Sequence, residues 1–155
     1  AQGLGVAADP VAAAEWFLRA AEKGSTKAKY NIGVACTRGD GVPVDLAAAA
    51  RWYNEAAEEG HVMAQYNLAV AYSRGVGVPV DMDAAALWFL RSAQIGNANG
   101  QFMMGVLHSQ GKGVAMDPVA SVQWYQKASA QGHPQAMHNL ALAYEAGAGV
   151  PADAA

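Results

Sequence analysis

The chain has 155 residues, of which 53% are hydrophobic and 15% charged, and its formal net charge is −3. That balance excludes a disordered chain, which needs low hydrophobicity and high charge, and it leaves no basic footprint for nucleic acid. A single cysteine, Cys36, excludes an intrachain disulfide, and no apolar run approaches the roughly 18 residues of a membrane span.

Offset by 36 residues, the sequence lies on itself. Trp16, Trp52, Trp88 and Trp124 share one column, and Asp9, Asp45, Asp81, Asp117 and Asp153 another. Gly24, Gly60, Gly96 and Gly132 form a third, and Gly39, Gly75, Gly111 and Gly147 a fourth. A fixed period of this size marks stacked repeats. We therefore expect one repeat array over residues 1–155, with units at 9–44, 45–80, 81–116 and 117–152, and with 1–8 and 153–155 as parts of flanking units.

In chain order, Ala1 to Ala8 read as the loop that recurs between units as GDGVPVD, GVGVPVD, GKGVAMD and GAGVPAD. In each loop the first glycine ends a helix in a left-handed turn, the second permits another positive φ, and the aspartate caps the next helix. Pro43, Pro79 and Pro151 keep the preceding helix from continuing. A first helix is predicted from Pro10 to Lys23, ending at Gly24. Ala13, Trp16, Phe17, Ala20 and Ala21 step by three and four residues along it and so share a face. Each tryptophan is expected in the core, filling a wedge between closely packed alanines. A second helix follows from Thr26 to Arg38, after a capping position held in turn by Ser25, His61, Asn97 and His133. The short turn makes the two helices antiparallel, and one pair cannot bury both its faces, so pairs stack.

The pattern Asp-x3-Ala-x2-Trp-[Phe/Tyr]-x2-Ala-Ala-x2-Gly-x3-Ala-x-Tyr-x-Leu-[Gly/Ala]-x2-Tyr, closed by Gly-x-Gly-Val-x2-Asp, resembles the Sel-one-like repeat, a relative of the tetratricopeptide repeat. Departures are local: Cys36 and His108 stand for Tyr, His138 for Tyr or Phe, Ser121 and Ser129 for Ala, and Gly100 for Ala. The resemblance implies an all-α fold, a right-handed α-α superhelix or open solenoid of four antiparallel helix pairs. It also implies a concave face of first helices that holds proteins or peptides, and a bacterial source. Some cysteine-rich relatives have been linked to binding or hydrolysing β-lactams, but they carry paired cysteines in each repeat, which this chain lacks.

The remaining motifs read as structure. The Gly-x-Gly loops follow no strand and have no third glycine in register, so they are punctuation rather than phosphate cradles. Ser109 and Lys112 have the Ser-x-x-Lys spacing of penicillin-interactive enzymes, but Ser109 ends a predicted helix and Lys112 lies between two loop glycines. His61 and His133 are expected as turn or cap residues. His133 and His138 are five apart, not the four that aims two imidazoles at one ion. His108 and His138 replace aromatics in neighbouring units without a carboxylate or cysteine beside them. No catalytic, cofactor or metal site is expected, and the chain reads as non-enzymatic.

Away from the tryptophan stripe, first-helix positions vary between units while the core columns repeat. That division is expected if one face builds the stack and the other specialises. The candidate partner-binding residues are Arg51, Glu55, Leu87, Leu90, Arg91, Gln123 and Lys127, with Leu87 and Leu90 as an apolar patch on an otherwise wet face. The partner is a protein or peptide. The alternative is an architectural spacer in a longer array: neither end has a polar capping repeat, so end-to-end self-association, or fraying of the last helix, is expected. The chain begins within a repeat, so a signal peptide is compatible with it and no compartment is assigned.

Overall fold

The computed structural model describes residues 7–150 and contains, among them, eight α-helices and no strand. These are α1 (Pro10–Glu22), α2 (Thr26–Arg38), α3 (Leu46–Glu58), α4 (Val62–Arg74), α5 (Met82–Gln94), α6 (Ala98–Gln110), α7 (Pro118–Ala130) and α8 (Pro134–Ala146). The second helix of the first unit has the predicted bounds. The first ends one residue early, with Lys23 as its C-cap. The readings of residues 1–6, of Pro151 and of Asp153 lie outside the described residues.

Every helix start is capped by the predicted residue. Asp9, Asp45, Asp81 and Asp117 accept the N–H three residues on at 2.8 to 3.0 Å. Ser25, His61, Asn97 and His133 do the same for the second helices at 2.8 to 3.3 Å. At the far ends Gly39, Gly75, Gly111 and Gly147 take the left-handed conformation, where a side chain would be strained. The loop then folds back on its own helix: the N–H groups of Asp45, Asp81 and Asp117 donate to the carbonyls of Cys36, Tyr72 and His108. That bond uses backbone only, so the column accepts Cys, Tyr or His alike.

The most extensive packing sets the second helix of one unit on the first helix of the next, α2 on α3, α4 on α5 and α6 on α7. Its centre is the residue after each tryptophan. Tyr53, Phe89 and Tyr125 are buried, and the two tyrosine rings each lie against a glycine of the preceding unit. A Cβ added to Gly33 would stand 2.8 Å from the Tyr53 ring, and one added to Gly105 2.5 Å from that of Tyr125. Ala69 holds the corresponding place before the hydroxyl-free Phe89. The two tyrosine hydroxyls are also bonded: that of Tyr53 to Thr37 at 3.1 Å, and that of Tyr125 accepts from Asn139 at 3.2 Å.

Two departures from the repeat pattern are answered in the same way. The Ser121 hydroxyl, in an alanine column, donates to the carbonyl of Gly105 at 2.8 Å. Gly100 lies beside Ser92, whose Oγ would be 3.1 Å from an added Cβ, so the smaller residue makes room for the larger. At the junction of units one and two, Lys29 of α2 reaches Glu55 of α3 at 3.1 Å and its C-cap Glu59 at 2.5 Å, and Thr26 donates to Glu59 as well. These bonds hold the Lys29 pKa above its ordinary value and that of Glu59 below it.

One expectation is corrected here. The tryptophans are not uniformly core: Trp88 is 5% exposed, Trp52 and Trp124 are half-buried, and Trp16 is 66% exposed. One residue is a 100° step around a helix, and the stack centres on the next residue, leaving each indole at the margin. The last helix runs from Pro134 to Ala146, with Leu142 and Tyr144 on it exposed.

Candidate functional site

On three of the four first helices a cation three residues after the tryptophan lies over the indole. Arg19 is 4.9 Å from the Trp16 ring, Arg91 4.5 Å from Trp88 and Lys127 4.3 Å from Trp124. That spacing is one helical turn, and the ring quadrupole attracts the cation. Unit two differs: Glu55 occupies the place and turns to Lys29. Arg91 also lies 3.7 Å from Glu58, a link from α5 back to α3. The face thus carries cations in units one, three and four and a carboxylate in unit two, on an aromatic margin.

Arg51, Glu55 and Asn54 line one open groove of about 330 Å³, with Leu68 and Tyr72 of α4 and Val78 of the following loop. Leu87 is 48% exposed, as expected of a contact residue, and Gln123 and Lys127 are exposed. Leu90 is different: it is half-buried and packs against the core, so the Leu87 and Leu90 pair does not form one wet patch. Its cover comes from tertiary packing, which a single helix cannot reveal. Tyr72 is half-buried: it packs against the core and also lines this groove.

Ser109 donates to the carbonyl of Val106 at 2.8 Å at the end of α6, with Lys112 beyond it in the loop. No cluster of three or more metal-ligating side chains occurs among the described residues. His108 faces the carbonyl of Ala115 at 3.3 Å.

His61 and His133 are caps. The Nδ1 of His61 accepts the Ala64 N–H at 3.2 Å while its ring stacks 4.4 Å from that of Tyr30. Accepting requires an unprotonated Nδ1, and a cation at a helix N-terminus is unfavourable. Burial, and then Lys27, hold the His61 pKa below its ordinary 6.5. With the folded value depressed, the unfolded chain takes up the proton first as pH falls. Stability is therefore full above 6.5 and is lost below it, toward the folded value. The variant His61→Asn, which copies position 97, should lose less melting temperature than the parent between about pH 7.5 and about pH 5.5. Equal losses in thermal melts would count against the capping role.

Paired helices closed by glycine turns and stacked in register define an α-solenoid repeat protein. The Sel1 repeat model matches residues 1–25, 26–61, 62–97, 98–133 and 134–155. The chain belongs to the Sel1 repeat family. The protective antigen c5321 of uropathogenic Escherichia coli, described as displaying an SLR fold, is similar at 42% identity and a TM-score of 0.93, over 96% of this chain and 32% of that one. A Sel1 repeat protein from Oxalobacter formigenes is 33% identical with a TM-score of 0.90, over 98% of this chain and 61% of that one. The chain thus spans about a third of the first protein and three fifths of the second. Helicobacter pylori cysteine rich protein B, at 19% identity and a TM-score of 0.66 over 89% of this chain and all of that one, shares the fold alone. A comparison with curated protein sequences gave no match. No helix among the described residues is long and apolar enough to cross a membrane.

Proposed function

We propose that the chain is a non-enzymatic interaction module whose units act as one array, holding a protein or peptide segment against the face of its first helices. Arg51, Glu55, Leu87, Arg91, Gln123 and Lys127 make the contacts, and Leu90 supports them from beneath. The observation that carries this reading is the open groove in which Arg51, Asn54 and Glu55 stand over Leu68 and Tyr72. It lies on positions that vary between units whose core columns repeat. A rigid stack also reduces the ordering cost of binding.

The test is a pull-down from the source cell's lysate with the whole chain as bait, beside a Leu87→Asp, Arg51→Glu variant whose helicity is checked by circular dichroism. We expect a partner that the parent captures and the folded variant loses. Capture unaffected by both changes would remove the site from this face.

A second reading is favoured by the ends. Trp16 on α1, and Leu142 and Tyr144 on α8, are exposed in columns that units two and three bury or half-bury. In this reading the array is a spacer, and a further repeat or a second copy stacks end to end on these faces. Concentration-dependent sedimentation that disappears on Tyr144→Asp would support association of copies.

A further inference from the structure

The second helices enclose a hollow that the proposed function does not use. Between α2 and α4, above α3, lies an open groove of about 420 Å³. Ala50 and Tyr53 form its floor, Val34 and Val70 its walls, and Leu46 and Val76 one end. Arg38 and Arg74, the last residues of α2 and α4, line that same end. Both are exposed, and the ion pairs among the described residues involve neither of them. Asp45, at the start of the floor helix, is engaged as its cap, accepting from the Ala48 N–H at 2.8 Å.

The same hollow recurs elsewhere with other residues. Between α6 and α8 it measures about 290 Å³ and is lined by Ser109, Tyr125, Asn139 and Leu142, and the places of the two arginines are held by Gln110 and Ala146. Along α1 and α2 it is smaller, and Asp40 stands where Val76 would. Packing of repeats therefore makes the hollow but does not require the arginines. An arginine in a last helical turn gains from the helix dipole, yet Gln and Ala serve in other units. The groove between α2 and α4 joins an apolar floor to two cations at one rim. Guanidinium groups bind carboxylates bidentately, and a desolvated apolar hollow takes a large side chain as anchor.

From this charge complementarity we propose that the groove between α2 and α4 docks a peptide segment of a partner protein that carries a large apolar side chain with carboxylates to one side of it. Its lining shares Ala50 alone with the groove at Arg51 and Glu55, so both grooves accept occupants at once and the array bridges two partners.

Random dodecapeptides displayed on phage, selected against the whole chain, provide the probe. Enriched peptides should combine Asp or Glu with Leu, Ile, Phe or Trp. A labelled peptide made from them should lose affinity about tenfold or more on Arg38→Glu, Arg74→Glu, keep it on Leu87→Asp, and weaken with salt. Should Glu disturb the helix C-termini by circular dichroism, Arg38→Gln, Arg74→Gln is the milder variant, and the same loss is expected. Failure to enrich, enrichment of basic or uncharged peptides, or equal binding to the arginine variants overturns the proposal. Loss on Leu87→Asp instead would assign the peptide to the first-helix face and overturn it equally.

Discussion

Replacement of Gly77 by alanine should destabilise the array by about 3 kcal/mol or more, among the largest costs expected of a single added methyl group. The residue has φ +73°, and a Cβ there would lie 2.0 Å from the carbonyl oxygen of Leu46 and 2.4 Å from its carbon. The obstacle is backbone in the first turn of α3, so no rotamer change relieves it. Either the loop lifts off the helix or α3 shifts and disturbs its packing on α2. Gly60 supplies the control: its φ is +90°, but nothing lies within 4 Å of an added Cβ. Gly60→Ala should cost only about 1 kcal/mol, from the left-handed backbone alone. Urea unfolding of both variants measures the difference, and equal costs would show that the loop yields freely. Gly41, Gly113 and Gly149 meet Pro10, Met82 and Pro118 in the same way, so the contact is a property of the repeat.

Phe89→Ala should cost about 3 to 5 kcal/mol. The side chain is fully buried at 0% exposure, packed edge-on against Tyr66 with ring centroids 5.7 Å apart. Its loss leaves a cavity at the junction of units two and three, where Leu68 and Met104 are also fully buried. In a stacked array each unit is held by its neighbours, so damage here uncouples the two halves. Phe17 is the same residue type in the same column of unit one, but it is 37% exposed. Phe17→Ala should cost about 1 to 2 kcal/mol by the burial it loses. Circular dichroism melts of the two variants decide the matter, and a similar loss from both would mean that the column, rather than its cover, sets the energy.

The two proposed docking faces differ in what a repeat contributes to each. On the first-helix side, variation at Arg51, Leu87 and Gln123 changes chemistry on a surface that the stack leaves open. On the second-helix side, the stack itself creates the hollow, and only its rim is free to vary.

The sequence by itself determined the period, the eight helices, their caps and the glycine turns, because all of these are local. A cap acts over three residues, a left-handed turn over one, and an apolar face repeats within a single helix. The bounds of α2 and the capping roles of His61 and His133 were legible for that reason. Tertiary structure alone decided which residues at the margin of each face are covered. Trp16 and Trp88 share a column and a helical phase, yet one is exposed and the other buried. Leu90 is drawn against the core while Leu87, less than one turn away, stays open. The grooves, too, gather side chains from two or three helices, and the contacts of Gly33 with Tyr53 and of Gly105 with Tyr125 join residues 20 apart in different units. Cover at such positions depends on the size of the side chain that the neighbouring unit presents, which helical periodicity within one segment does not encode.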